Sequence, residues 1–252
     1  MLAVIGGTGL YDLDTLQEVR EESVVTPWGP PSGPLLIGRM GEEPVIFLAR
    51  HGSRHSIAPH DVNYRANLWA LRDAGARAVI GVGAVGAIPP EPVAGGIAIP
   101  DQLIDYTWGR PATFFEGPES PVEHIDFTWP YTGALRARLL QAARAADVAV
   151  VDGGCYGATQ GPRLETAAEI DRLERDGCTL VGMTGMPEAA LARELGLDYA
   201  CCAVVANRAA GRGDSDTVSL EEIHRNLEQG MADARRLIAT LFQEGPYNPT
   251  AE

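Results

Sequence analysis

Two short apolar runs, Thr179 to Met183 and Tyr199 to Ala206, bracket a helix-length segment from Pro187 to Leu195 that Gly196 stops. A strand, a crossover helix and a second strand joined this closely predict a βαβ unit with both strands parallel in one sheet. The first run leads into Gly182-Met183-Thr184-Gly185-Met186-Pro187-Glu188, and the second into a lone polar residue, Asn207. The Thr184 hydroxyl and the Asn207 amide are therefore expected at the same end of the sheet, where α/β proteins bind small molecules.

The same alternation runs through the chain. Met1 to Ile5 reads as a strand feeding Gly6-Gly7-Thr8-Gly9-Leu10, and Val45 to Ala49 as a strand feeding Arg50-His51-Gly52. A helix is predicted over Val62 to Ala74, where Leu68, Trp69 and Leu71 recur among polar positions before Gly75, and a strand over Ala78 to Val82. Pro89, Pro90 and Pro92 keep the chain extended toward Ile97 to Pro100 and Leu103 to Tyr106. Residues 107 to 130 lack periodicity and read as a long functional excursion. Then follow a helix over Ala134 to Ala146, a strand near Val148 to Val151, and a helix over Glu165 to Arg175 stopped by Gly177. Ser219 with Glu222 three residues on predicts a capping box opening a last helix to about Phe242. The expectation is one α/β domain over residues 1–245, a largely parallel mixed sheet flanked by helices, with 246–252 as a loose tail.

Composition narrows the ligand. A formal net charge of −14 excludes general affinity for nucleic acid or an anionic membrane, so an anionic ligand must find a local basic pocket. Cys155, Cys178, Cys201 and Cys202 lack C-x-x-C spacing and read as free thiols in a reducing compartment. No apolar run approaches the roughly 18 residues of a membrane span and no basic leader precedes one, which predicts a cytoplasmic protein.

Several motifs compete. Gly81-Val82-Gly83-Ala84-Val85-Gly86 spells G-x-G-x-x-G with Asp105 downstream, but prolines follow where a dinucleotide site requires a helix, which disfavours a nicotinamide-dependent oxidoreductase. Gly6-Gly7-Thr8-Gly9 has no P-loop lysine; it fits a single-phosphate nest and a plain tight turn equally. Arg50 offers a planar fork for phosphate and fits a structural carboxylate as well. The five histidines, His55 and His124 among them, are too scattered to predict a metal site, and G-x-S-x-G is absent, so covalent catalysis is not expected.

Gly6-Gly7-Thr8-Gly9-Leu10, Ala49-Arg50-His51-Gly52, Asn63 to Leu71, Gln160-Gly161-Pro162-Arg163 and Gly182 to Glu188 occur in an order that resembles the trimeric purine nucleoside phosphorylases over roughly residues 1 to 243. More narrowly the chain is similar to the methylthioadenosine phosphorylase branch and, within it, to bacterial S-methyl-5'-thioinosine phosphorylases. The resemblance implies a three-layer nucleoside phosphorylase sandwich, a homotrimer whose neighbouring chain helps close the 5' pocket, and inorganic phosphate as co-substrate without a further cofactor. Carried over by position, Thr8, Arg50, His51 and Thr184 hold phosphate, Met183 packs under the ribose, and Asn207 hydrogen-bonds the base. The resemblance also places His55, His124 and Ala209 at the substrate. A hydroxyl residue frequent at Gly83 is missing, so Gly83 and Ala84 can offer phosphate only backbone N–H groups.

Adenine-specific members of this branch carry Asp at the positions of Asn207 and Ala209. An amide can present N–H to a 6-oxo group and N7, and Glu165 can accept from N1–H, so the pair favours hypoxanthine or guanine. Outside the resemblance, Asn207 fits a loop amide and Glu165 a first-turn charge on the helix dipole. Leu220 replaces a His that inosine and guanosine phosphorylases place at the 5'-hydroxyl; with Ile223 it offers an apolar wall suited to a methylthio group, or ordinary core positions. The expected reaction is phosphorolysis of S-methyl-5'-thioinosine. An inosine/guanosine phosphorylase, a methylthioadenosine phosphorylase and a nucleoside-binding protein without turnover are the alternatives.

Overall fold

The computed structural model describes residues 1–7, 16–118, 120–213 and 219–248. In chain order its strands are β1 (Leu2–Gly6), β2 (Leu16–Glu22), β3 (Leu35–Met40), β4 (Glu43–Ala49), β5 (Ala78–Ala87), β6 (Ile97–Ile99), β7 (Gln102–Asp105), β8 (Val150–Asp152), β9 (Cys155–Ala158), β10 (Leu180–Gly182) and β11 (Asp198–Arg208). The helices are α1 (Tyr64–Asp73), α2 (Gly133–Ala145), α3 (Ala167–Arg175), α4 (Gly185–Glu194) and α5 (Leu220–Gln243).

β1 runs parallel between β4 and β5, and β11 runs parallel along the other side of β5. Strands this central are apolar on both faces, and alternate residues separate two cores. Ala3, Ile5, Tyr199 and Cys201 join Leu68, Leu71, Ala189 and Leu191 of α1 and α4. Leu2, Val4, Ala200 and Cys202 join Leu135, Leu139, Leu237 and Ile238 of α2 and α5. The result is a mixed, mostly parallel sheet between two helical layers, as expected.

β10 and β11 depart from the expected parallel pair. β11 follows β5 in parallel to Arg208, but β10 runs antiparallel to β5, with Leu180 opposite Ala87 and Val181 opposite Gly86. The cause is the length of β5. β1 pairs with it only as far as Gly81, leaving the C-terminal half with a free edge that β10 takes in the opposite sense. Thr184 and Asn207 thus approach the glycine-rich half of β5 from two directions instead of sharing one end of a parallel sheet.

Local chemistry sets the boundaries. Asn63 caps α1 by accepting from the Ala66 N–H at 3.1 Å. A complete capping box, Thr166 with Glu169, starts α3 after Glu165, so Glu165 is not the first-turn charge of that helix. At α5 the Ser219 hydroxyl accepts from Glu222 N–H, but the return bond of the expected box is not among the described contacts. The start of the tail is held: the Tyr247 hydroxyl donates to Asp198 at 2.8 Å, and the Arg138 guanidinium lies 5.7 Å from its ring. Residues 249–252 lie outside the described residues.

Candidate active site

Gly81, Gly83 and Gly86 all lie inside β5, so no helix opens from the G-x-G-x-x-G run and the dinucleotide context is absent. The missing side chains make room for neighbours. A Cβ on Gly81 would stand 2.2 Å from the Tyr199 hydroxyl and 2.8 Å from the Glu188 carboxylate. One on Gly83 would stand 3.4 Å from the Thr184 hydroxyl oxygen. Around this strand lies a pocket of about 640 Å³ that draws on the segments after β1 and β4 and on β5, β10, β11 and α5.

Arg50 reaches the pocket edge, but its fork is occupied. Nε and Nη2 donate to the two Glu188 oxygens at 2.7 and 2.8 Å, Nη1 donates to Val82 O at 2.8 Å, and Nη2 also reaches Ile5 O at 3.3 Å. Of the five N–H groups of a guanidinium, these contacts leave one, on Nη1; of the two partners that the sequence leaves open for Arg50, the carboxylate is present, in a buried pair with Glu188. The Tyr199 hydroxyl completes the network by donating to Glu188 at 2.8 Å.

His51 follows at the exit of β4. Its Nδ1 lies 2.8 Å from Ile57 O, a carbonyl that can only accept, so Nδ1 carries the proton and Nε2 a lone pair. Burial, then the Arg50 charge, lowers its pKa from 6.5 to about 4. Unfolded His51 therefore binds a proton that the folded site refuses, and stability contributed above pH 6.5 is lost as the pH falls toward about 4. In melts between those limits, His51→Gln is expected to soften the acid loss; an unaltered acid limb would rule His51 out as its source. The His55 ring lies 4.6 Å from that of His51, and both border Gly7 at the same pocket wall. Thr8 lies outside the described residues.

Gly83, Ala84, Met183 and Thr184 line the pocket beside His51. The Thr184 N–H donates to the Tyr156 hydroxyl at 3.3 Å, and its side chain makes no cap bond to α4. Glu165, Asn207 and Ala209 also line it. Glu165 accepts from the Thr159 hydroxyl at 2.6 Å through Oε1. A register shift between Val205 and Asn207 turns Asn207 off the regular strand alternation. Its Nδ2 donates to Arg208 O at 2.6 Å, which fixes the amide's orientation and leaves its second N–H and Oδ1.

Ile223, His224, Leu227 and Met231 of α5 close another side. His224, Leu227 and Met231 were not singled out in the sequence, although positions 223, 224, 227 and 231 follow the spacing of one helical face. The Leu220 side chain lies outside what the structure describes. His124 is exposed on the 107–130 excursion and does not line its own chain's pocket, so the structure does not bring it to the other site residues. Among the described residues no group of three His, Cys, Asp or Glu could hold a metal ion, and no helix is long and apolar enough to cross a membrane.

Residues 1–243 match the phosphorylase superfamily. The chain belongs to this family. A probable S-methyl-5'-thioinosine phosphorylase from Xanthomonas campestris pv. campestris is 54% identical over 95% of this chain and 96% of its own. A 6-oxopurine nucleoside phosphorylase from Pyrococcus furiosus is 48% identical over 83% of this chain and 80% of its own. Among solved structures, a methylthioadenosine phosphorylase from an antarctic soil metagenomic library superposes with a TM-score of 0.91 at 33% identity, covering 96% of this chain and 85% of that one. This phosphorylase therefore shares its fold with relatives whose names divide between S-methyl-5'-thioinosine, 6-oxopurine nucleosides and methylthioadenosine.

Proposed function

We propose that this phosphorylase cleaves S-methyl-5'-thioinosine with inorganic phosphate, giving hypoxanthine and S-methyl-5-thioribose 1-phosphate. The observation that carries the reading is the base end of the pocket: an amide, Asn207, with Ala209 beside it and Glu165 among the same lining residues. The free N–H of Asn207 suits a 6-oxo group or N7, and the second oxygen of Glu165 suits N1–H. Two carboxylates in place of Asn207 and Ala209 would favour an exocyclic amine.

A phosphate oxygen bonds to C1' as the C1'–N9 bond breaks, the bonding pair leaves with the purine, and a proton ends on the base. No side-chain nucleophile is needed; the chain positions two substrates and stabilises charge. Ala84 N–H, on the edge of β5 away from β11 as Val82 O is, joins the Thr184 hydroxyl and the remaining N–H of Arg50 in holding the phosphate beside Gly83, Met183 packs under the ribose, and Thr8 joins them. Neutral His51 offers Nε2 as an acceptor for a protonated phosphate oxygen. Ile223, Leu227 and Met231 supply an apolar wall for the methylthio group, with Leu220 at the head of the same helix. His224, exposed on this face, is a polar group there that can meet a 5'-hydroxyl.

The assembly we propose is a cytoplasmic homotrimer, checked by light scattering; His124 contacts substrate only if it reaches a neighbouring chain's pocket. A panel of four nucleosides, 6-amino or 6-oxo crossed with 5'-hydroxyl or 5'-methylthio, tests the chemistry. Phosphate-dependent hypoxanthine release from methylthioinosine is expected to be fastest. Faster adenine release from methylthioadenosine would sink the base assignment, faster turnover of inosine the 5' assignment, and base binding without turnover the reaction itself.

A further inference from the structure

Arg110 is a buried cation in the excursion after β7, and no described ion pair includes it. Its donors go to main-chain carbonyls instead. Nη1 donates to Met183 O at 2.8 Å and Met186 O at 2.6 Å, and Nη2 to Gln160 O at 2.9 Å and Thr159 O at 3.3 Å. The Tyr64 hydroxyl also accepts from Nη1, at 3.2 Å, while Nε is buried with no partner among the described residues. Burying a guanidinium without a carboxylate is unfavourable unless fixed dipoles replace water. Here those dipoles belong to the two segments that follow β9 and β10.

The placement of these carbonyls matters. The Met183–Thr184 peptide is held from both sides, its C=O by Arg110 and its N–H by the Tyr156 hydroxyl. That fixes the plane from which the Met183 and Thr184 side chains depart. On the other segment, Thr159 gives its carbonyl to Arg110 and its hydroxyl to Glu165. One rigid fork therefore sets the separation between the groups assigned to ribose and phosphate and the carboxylate assigned to the base.

We propose that Arg110 is a positioning residue, fixing the Met183–Thr184 peptide against the Thr159–Glu165 pair so that bound nucleoside and phosphate are aligned for transfer. The inference rests on the substrate roles assigned above to Thr184 and Glu165. A lysine keeps the charge but cannot span both segments with a planar fork. Arg110→Lys is therefore expected to lower kcat/KM by about 100-fold on whichever nucleoside the parent turns over best, the scale of a misplacement of about 1 Å. In Arg110→Ala, added guanidinium is expected to restore part of that loss.

Thermal melts give the folded fraction, and hypoxanthine affinity by calorimetry reads Glu165 placement independently of turnover. A parent that fails the nucleoside panel overturns the functional reading, and the hypoxanthine affinities of parent and variant then decide the role of Arg110. Constants and affinity within about threefold of the parent in folded Arg110→Lys overturn the proposal. So does a loss that disappears after correction for folded fraction, or one that saturating guanidinium leaves untouched in Arg110→Ala. If Arg110→Ala does not fold, Arg110→Lys decides alone.

Discussion

Arg50→Ala is expected to destabilise the fold by about 3–5 kcal/mol, the range for removing one partner of a buried ion pair. The large effect arises at Glu188, which is fully buried and would lose both guanidinium bonds, keeping the Tyr199 hydroxyl. Arg50 itself is 2% exposed; burial works against its charge, but the adjacent Glu188 carboxylate outweighs that and raises its pKa above the ordinary guanidinium value, so the arginine stays ionised. Denaturant titration measures the change. Glu188→Ala should be similarly damaging, and Arg50→Met with Glu188→Leu should destabilise less than either single alanine, since neither charge is then left unpaired. Additive losses would show that the two side chains act separately. A rise in the phosphate requirement of Arg50→Ala is interpretable only at a temperature where the variant is folded.

Arg50 also shows where sequence reasoning stopped. A strand-exit arginine and its carboxylate are separated by 138 residues, and nothing local marks Glu188 as the partner. The apolar runs of β1, β4, β10 and β11 were legible because their strands are buried on both faces. β2 was not: its Leu-Gln-Glu-Val-Arg-Glu-Glu sequence is largely exposed at the sheet edge and, among the described residues, pairs with β3 alone, so no apolar periodicity announces it. β3 is short and interrupted by Gly38, against which the Gln17 carbonyl packs, and β9 is the four residues Cys-Tyr-Gly-Ala. The sequence reads β5 as ending near Val82, where Gly83 and Gly86 follow. They continue the strand: a Cβ on Gly86 would stand 3.1 Å from the Val181 side chain, while one on Gly83 would reach the Thr184 hydroxyl only at 3.4 Å. Chain direction was the remaining gap, since the sequence spacing of β10 and β11 is the same whether their neighbour β5 accepts one or both in parallel. The residues proposed for the base end are legible only through the resemblance; the alternative reading of Glu165 as a first-turn charge falls away because α3 starts after it and carries Glu169 in its first turn.

Asn207→Ala is expected to lower kcat on 6-oxopurine nucleosides by about 10²–10³-fold, the scale for removing one preorganised donor aimed at developing negative charge. The amide is suited to that role because its orientation is not free. With one N–H held by Arg208 O, Nδ2 and Oδ1 cannot exchange places without setting an oxygen against a carbonyl. Asn207→Asp reverses the chemistry at the same position: an acceptor replaces the free N–H, and the bond to Arg208 O is lost unless the carboxyl is protonated. The ratio of 6-oxo to 6-amino kcat/KM should therefore fall in Asn207→Asp, and fall further when Ala209→Asp is added, because Ala209 is buried beside the same end of the pocket and supplies no acceptor. Parallel kinetics on methylthioinosine and methylthioadenosine read both steps. If the ratio is unmoved in the single and double variants while the melting temperature is retained, selection of the base does not pass through Asn207, and Glu165 becomes the group to change next.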